Sequence, residues 1–144
     1  MSNARLPEVA TQLDQVDWKP FPEPFAFGGI RWKLLHTSPG TGDWSAIFDC
    51  PKGSSIAPHT HFASGQYLLT KGRMDIRGGV EKGGATVLAP SHGYESNGAV
   101  HEHTNFPIDS EFYMTFDGPV VFTNPDGSVM AVVGWEQARA AWSA

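Results

Sequence analysis

An all-β sandwich or barrel is the fold this sequence predicts, and three observations predict it. From Gly29 onward the chain is a succession of short runs rich in β-branched and aromatic residues. Clusters of glycine, proline and aspartate separate the runs, and apolar and polar residues alternate within them. At 144 residues the chain can bury one core but is too short for two. We expect a single domain over 1–144: an N-terminal arm over 1–28, a β-barrel over 29–133 and a short C-terminal helix over 134–144.

The arm carries Pro20, Pro22 and Pro24. No helix interior or central strand accepts them, so the arm should run extended over its own domain or a partner subunit. The strands expected next are Ile30 to Thr37, Trp44 to Cys50, Gly65 to Thr70 and Arg73 to Arg77. Ala85 to Ala89, Glu111 to Phe116, Val120 to Thr123 and Val129 to Val133 complete them. Ser38 to Asp43 reads as a hairpin loop, Arg77 to Gly84 as a longer loop and Asn124 to Gly127 as a tight turn. The helical segment is Trp135 to Ser143, preceded by Gly134 as a break, with Glu136 and Arg139 three residues apart on one side.

Composition narrows the functions. Hydrophobic residues at 40% and charged residues at 17% describe an ordered globular chain. A net charge of −5 argues against a nucleic-acid or anionic-membrane surface, so the expected partner is a small molecule or another protein. No stretch has the length of a membrane span, and the first residues lack the basic start and apolar run of a signal peptide. A cytoplasmic location is expected. The lone cysteine, Cys50, fits a reducing compartment and reads as a buried structural thiol.

The chemistry centres on His59-Thr-His61. Two histidines one residue apart on a strand project from the same face, and imidazole nitrogens suit iron, zinc, copper and nickel. A third ligand must come from elsewhere. His101, His103 and Glu95 are the candidates, and spacing alone does not choose among them. In Glu111 to Phe116, alternation puts Phe112, Met114 and Phe116 on one face. An apolar wall of this kind beside a metal would exclude water and favour a small organic substrate.

Gly53, the histidine pair, Gly72 closing the following strand, and the later run Gly84-Ala-Thr-Val-Leu-Ala-Pro90 with His101 and Asn105 together resemble the two motifs of the cupins. That likeness implies a double-stranded β-helix, or jelly-roll barrel. Leu69 to Met74, Gly93 to Gly98 and Phe112 to Phe116 resemble, more narrowly, the acetylacetone-cleaving β-diketone dioxygenases, over nearly the whole of Pro20 to Trp142. The resemblance implies a non-haem Fe(II) held by His59, His61 and His101, with zinc(II) or nickel(II) as the metals such a site also takes on isolation. It implies catalytic roles for Glu95, Arg77, Tyr67 and Thr104 around the metal. Ile56, Gln66, Phe112, Met114 and Phe116 would form the substrate pocket, while His103, His36 and His92 would be surface or outer residues.

Where cupins usually carry a glutamate after the histidine pair, this chain has Gln66. Three neutral ligands would leave the metal its full double charge, which attracts a chelating anion such as the enolate of a β-diketone. The expected reaction joins dioxygen to that substrate and cleaves a C–C bond, giving a carboxylic acid and an α-dicarbonyl. Two other readings share the motifs: a zinc hydrolase or isomerase, and a non-catalytic ligand or redox sensor. A homodimer or homotetramer is expected, because barrel edges call for cover.

Overall fold

The computed structural model describes residues 10–144. In chain order the strands are β1 (Lys19–Pro20), β2 (Ala26–Phe27), β3 (Arg31–Thr37), β4 (Trp44–Cys50), β5 (Ser54–Ile56), β6 (His59–His61), β7 (Gly65–Lys71) and β8 (Arg73–Ile76). They continue with β9 (Ala85–Leu88), β10 (Ser91–Glu95), β11 (Val100–His101), β12 (Thr104–Phe106), β13 (Ser110–Phe116), β14 (Val120–Thr123) and β15 (Val129–Val133). Helix α1 (Trp135–Ser143) follows, with the bounds the sequence predicts. A 3-10 turn at Val80–Lys82 sits in the predicted long loop.

Period-two alternation decides which way each long strand faces. Along β13, Ser110, Phe112, Met114 and Phe116 are buried while Glu111, Tyr113 and Thr115 are half-buried. Along β7, Gly65, Tyr67 and Leu69 are buried and their neighbours exposed. These strands are central to a six-stranded sheet in the order β1-β3-β4-β13-β7-β10. Facing it are a four-stranded sheet, β11-β6-β14-β15, and a five-stranded one, β2-β5-β12-β8-β9.

The expected barrel is therefore not closed by hydrogen bonds. The described strands divide into three sheets wrapped round one apolar interior, and side chains rather than ladders bridge the seams. Phe106 of the five-stranded sheet stacks on Phe112 of the six-stranded one at 5.8 Å between ring centroids, and His61 of the four-stranded sheet lies parallel to Phe116 at 6.3 Å. Within the six-stranded sheet the paired Trp44 and Phe116 stack at 3.9 Å. The Trp44 indole N–H donates to the carbonyl of Gly118 at 3.2 Å, which satisfies the polar end of a buried ring.

The described part of the arm lies on its own domain. Lys19 pairs with Trp32 and Pro20 with Arg31 at a sheet edge, where a proline lacking an N–H is tolerated. Ala26 pairs with Ile56. Lys19 Nζ donates to the carbonyl of Trp142 at 2.5 Å, tying the arm to the end of α1. The part of the expected arm over 1–9 lies outside the described residues.

Candidate metal centre

Strand β6 runs between β11 and β14, with His59 opposite His101 on one side and Phe122 on the other. Its alternation buries His59 and His61 and leaves Thr60 half-buried. One ligand nitrogen from each of His59, His61 and His101 lies within 4.8 Å of the others. Of the three candidates for the third position, His101 completes the cluster. His103 is exposed, and its carbonyl accepts the backbone N–H of Arg77.

Local hydrogen bonding sets the tautomer. His59 Nδ1–H donates to the carbonyl of Ala57 at 2.7 Å, which leaves Nε2 as the free lone pair. Burial lowers the His59 pKa to about 4, and the nearby His61 and His101 push the same way against the Ala57 bond and Glu95. Burial lowers that of His101 as well, opposed by Glu95. Both rings are thus held neutral, the form that binds a metal.

Glu95 ends β10 opposite Gly65. Its Oε2 lies 2.5 Å from His61 Nε2 and its Oε1 3.6 Å from His101 Nε2. Burial raises the carboxyl pKa, but contact with His61 and the neighbouring histidines outweighs it and holds Glu95 below its ordinary range. Among the described residues, His61 Nε2 and Glu95 Oε2 are fully buried and meet only each other, in a contact without good hydrogen-bond alignment. Two buried polar atoms so placed are better satisfied where a further partner engages them. A divalent cation among three neutral imidazoles and one carboxylate would do so, and the residues fit one.

The cavity beside the histidines is lined by residues that include Ile56, Tyr67, Thr104, Phe112, Met114 and Phe116. Thr104 Oγ1 is buried with no hydrogen-bond partner among the described residues. Burial raises the Tyr67 phenol pKa, and the charge of Glu95 adds to the rise.

Two expected site residues lie elsewhere. Gln66 alternates with Tyr67 on β7, so it points outward, is exposed, and faces His92 Nε2 through Oε1 at 2.9 Å. It does not line the pocket, and its neutrality has no bearing on the charge at the centre. Arg77 is also exposed and outside the cavity lining; its Nη1 donates to the carbonyl of Val100 at 3.3 Å, bracing the strand that carries His101. His36, near Asp43, is exposed as expected.

Sequence reasoning missed further walls of the cavity: Phe21 from the arm, Trp44 and Phe48 from β4, Val120 and Phe122 from β14, and Val133 from β15. The pattern in β4, with Trp44, Ala46 and Phe48 on one face, carried part of that signal. The wall is otherwise assembled by register between distant strands.

Three sheets round an apolar cavity, with three histidines and a carboxylate at its polar end, define a cupin with a metal-binding centre. The chain matches the ChrR cupin-like domain over residues 6–121. It belongs to that family and, within it, to the acetylacetone-cleaving enzymes. It is 52% identical over 137 residues to the acetylacetone-cleaving enzyme of Acinetobacter johnsonii, covering 95% of this chain and 90% of that one. A crystal structure of an acetylacetone dioxygenase from Acinetobacter johnsonii superposes with a TM-score of 0.92 at 50% identity, over 99% of this chain and 95% of that one. A protein of Methylibium petroleiphilum, provisionally assigned to the same activity, superposes over the whole of both chains with a TM-score of 0.95 at 59% identity.

Proposed function

We propose that this chain is a dioxygenase that cleaves the C–C bond of a small, apolar β-diketone such as pentane-2,4-dione, using Fe(II) held by His59, His61 and His101. The observation that carries the reading is the buried three-histidine cluster at the end of an apolar cavity, in a chain half identical to an acetylacetone-cleaving enzyme. Bound iron would supply a Lewis acid that gathers the diketone enolate and dioxygen.

The chain's own residues bind, orient and exclude water. Phe112, Met114 and Phe116 form one dry wall on β13. Thr104 Oγ1, without a hydrogen-bond partner among the described residues, would donate to an oxygen of the enolate. Glu95 keeps its negative charge beside the histidines and fixes their rings, while Arg77 holds β11 in place from outside. Tyr67 closes the cavity next to Glu95.

The overall reaction joins one dioxygen to one diketone, so that each product, the carboxylic acid and the α-dicarbonyl, receives one of its oxygen atoms. Turnover under 18O2 tests this: label in both products supports a dioxygenase. A carboxylic acid and a ketone formed without oxygen would instead identify a zinc hydrolase. The identity to a cleaving enzyme favours the dioxygenase over hydrolase and sensor readings. We further propose a homo-oligomer in the cytoplasm. Among the described residues, no helix is long and apolar enough to cross a membrane.

A further inference from the structure

Strands β7 and β10 pair so that Gly93 lies opposite Tyr67 and Glu95 opposite Gly65. In this ladder the inward-facing Tyr67 and Glu95 each meet a glycine across the strand, while Leu69 meets Ser91. The two glycines serve different ends. A Cβ at Gly65 would run into the carbonyl oxygen of Thr115, so backbone approach requires that glycine. Gly93 has no left-handed φ, and its conformation is one any residue adopts. The three atoms nearest to a Cβ at Gly93 are Cζ, Cε1 and Oη of Tyr67, all far inside van der Waals contact.

We propose that Gly93 is a positioning residue: its missing side chain is the seat of the Tyr67 ring, and it fixes that ring beside Glu95 in the cavity wall. An aromatic ring laid over a cross-strand glycine is a stable pairing, because the ring covers backbone that the glycine leaves bare. Any side chain at position 93 would displace the body of the ring, which has no freedom to bend away as the end of a flexible chain would. Since Tyr67 lines the cavity and its phenol feels the Glu95 charge, moving it would open the wall next to the metal ligands. The functional consequence rests on the diketone-cleaving reading; the placement does not.

The test is a double-mutant cycle. Tyr67→Leu deletes all three atoms that an alanine at 93 would meet. Gly93→Ala should lower kcat/KM for pentane-2,4-dione about 10- to 100-fold in the natural chain. In the Tyr67→Leu background it should cost no more than about twofold. In metal-free protein labelled with 3-fluorotyrosine, the 19F resonance that Tyr67→Phe removes should move in Gly93→Ala toward that of an exposed tyrosine.

An equal loss in both backgrounds, or an unmoved resonance, would overturn the proposal. If Gly93→Ala fails to fold, the double variant should recover a folded protein, and its failure to do so would also overturn it. If the natural chain does not cleave the diketone, the proposed function falls, while the resonance and the thermal midpoints of the four proteins still decide the placement.

Discussion

His59 and His101 are direct cross-strand partners in the β6–β11 ladder, with ring centroids 5.1 Å apart. Strand pairing itself therefore brings a ligand from the middle of the chain to one 42 positions later. The clamp is set by backbone register, with His61 contributed by the same strand as His59.

This geometry makes His101→Ala a loss of metal rather than a loss of fold. The variant should bind little iron by elemental analysis and show no turnover, while its circular dichroism stays that of the natural chain. His103→Ala, an exposed change two residues away, should keep both metal and activity. Full metal content in His101→Ala would refute the ligand assignment.

Glu95 is the carboxylate that abuts two of the three ligands. Glu95→Gln removes the charge and turns an amide toward His61 Nε2, so metal affinity should fall about 10- to 100-fold. Competition with a calibrated chelator measures this. An unchanged affinity would mean that the carboxylate neither binds nor orients.

His59 links the site to stability. Burial takes its folded-state pKa from its ordinary 6.5 to about 4, so between these values the unfolded chain takes up a proton that the folded chain refuses. The stability of the metal-free protein is then complete above the unfolded value and falls as pH drops toward 4, by up to about 3 kcal/mol. His101, lowered for the same reason, acts in the same direction. Urea denaturation of metal-free protein across this window should show the decline, and His59→Gln should make it shallower. A pH-independent midpoint would contradict it.

Gln66 stands on the outer face, so Gln66→Glu should leave kcat/KM within about twofold of the natural value. A large loss would show that position 66 reaches the centre after all.

Much of the fold was legible because the long strands carry their own signals. β4, β7 and β13 alternate over seven residues each, and α1 follows a glycine break. The expectation of Gln66 in the pocket was inconsistent with that same alternation, since Gln66 and Tyr67 are adjacent on one strand and cannot share a face. β10, β11 and β12 were not legible as strands. β10 reads Ser-His-Gly-Tyr-Glu and β11 has two residues, so neither offers a period. Their place comes from long-range register, Glu95 against Gly65 and His101 against His59. Hence His59 and His61 could be paired from sequence, whereas the choice between His101 and His103 needed either family likeness or the folded ladder.

The measurement that bears most directly on the proposed iron centre is oxygen uptake by metal-stripped protein reconstituted anaerobically with Fe(II), with pentane-2,4-dione as substrate and zinc-loaded protein and His101→Ala as controls. We expect oxygen and diketone to disappear mole for mole in the iron sample alone. Diketone loss without oxygen in the zinc sample, or no uptake by protein that holds iron at full occupancy, would contradict the assignment.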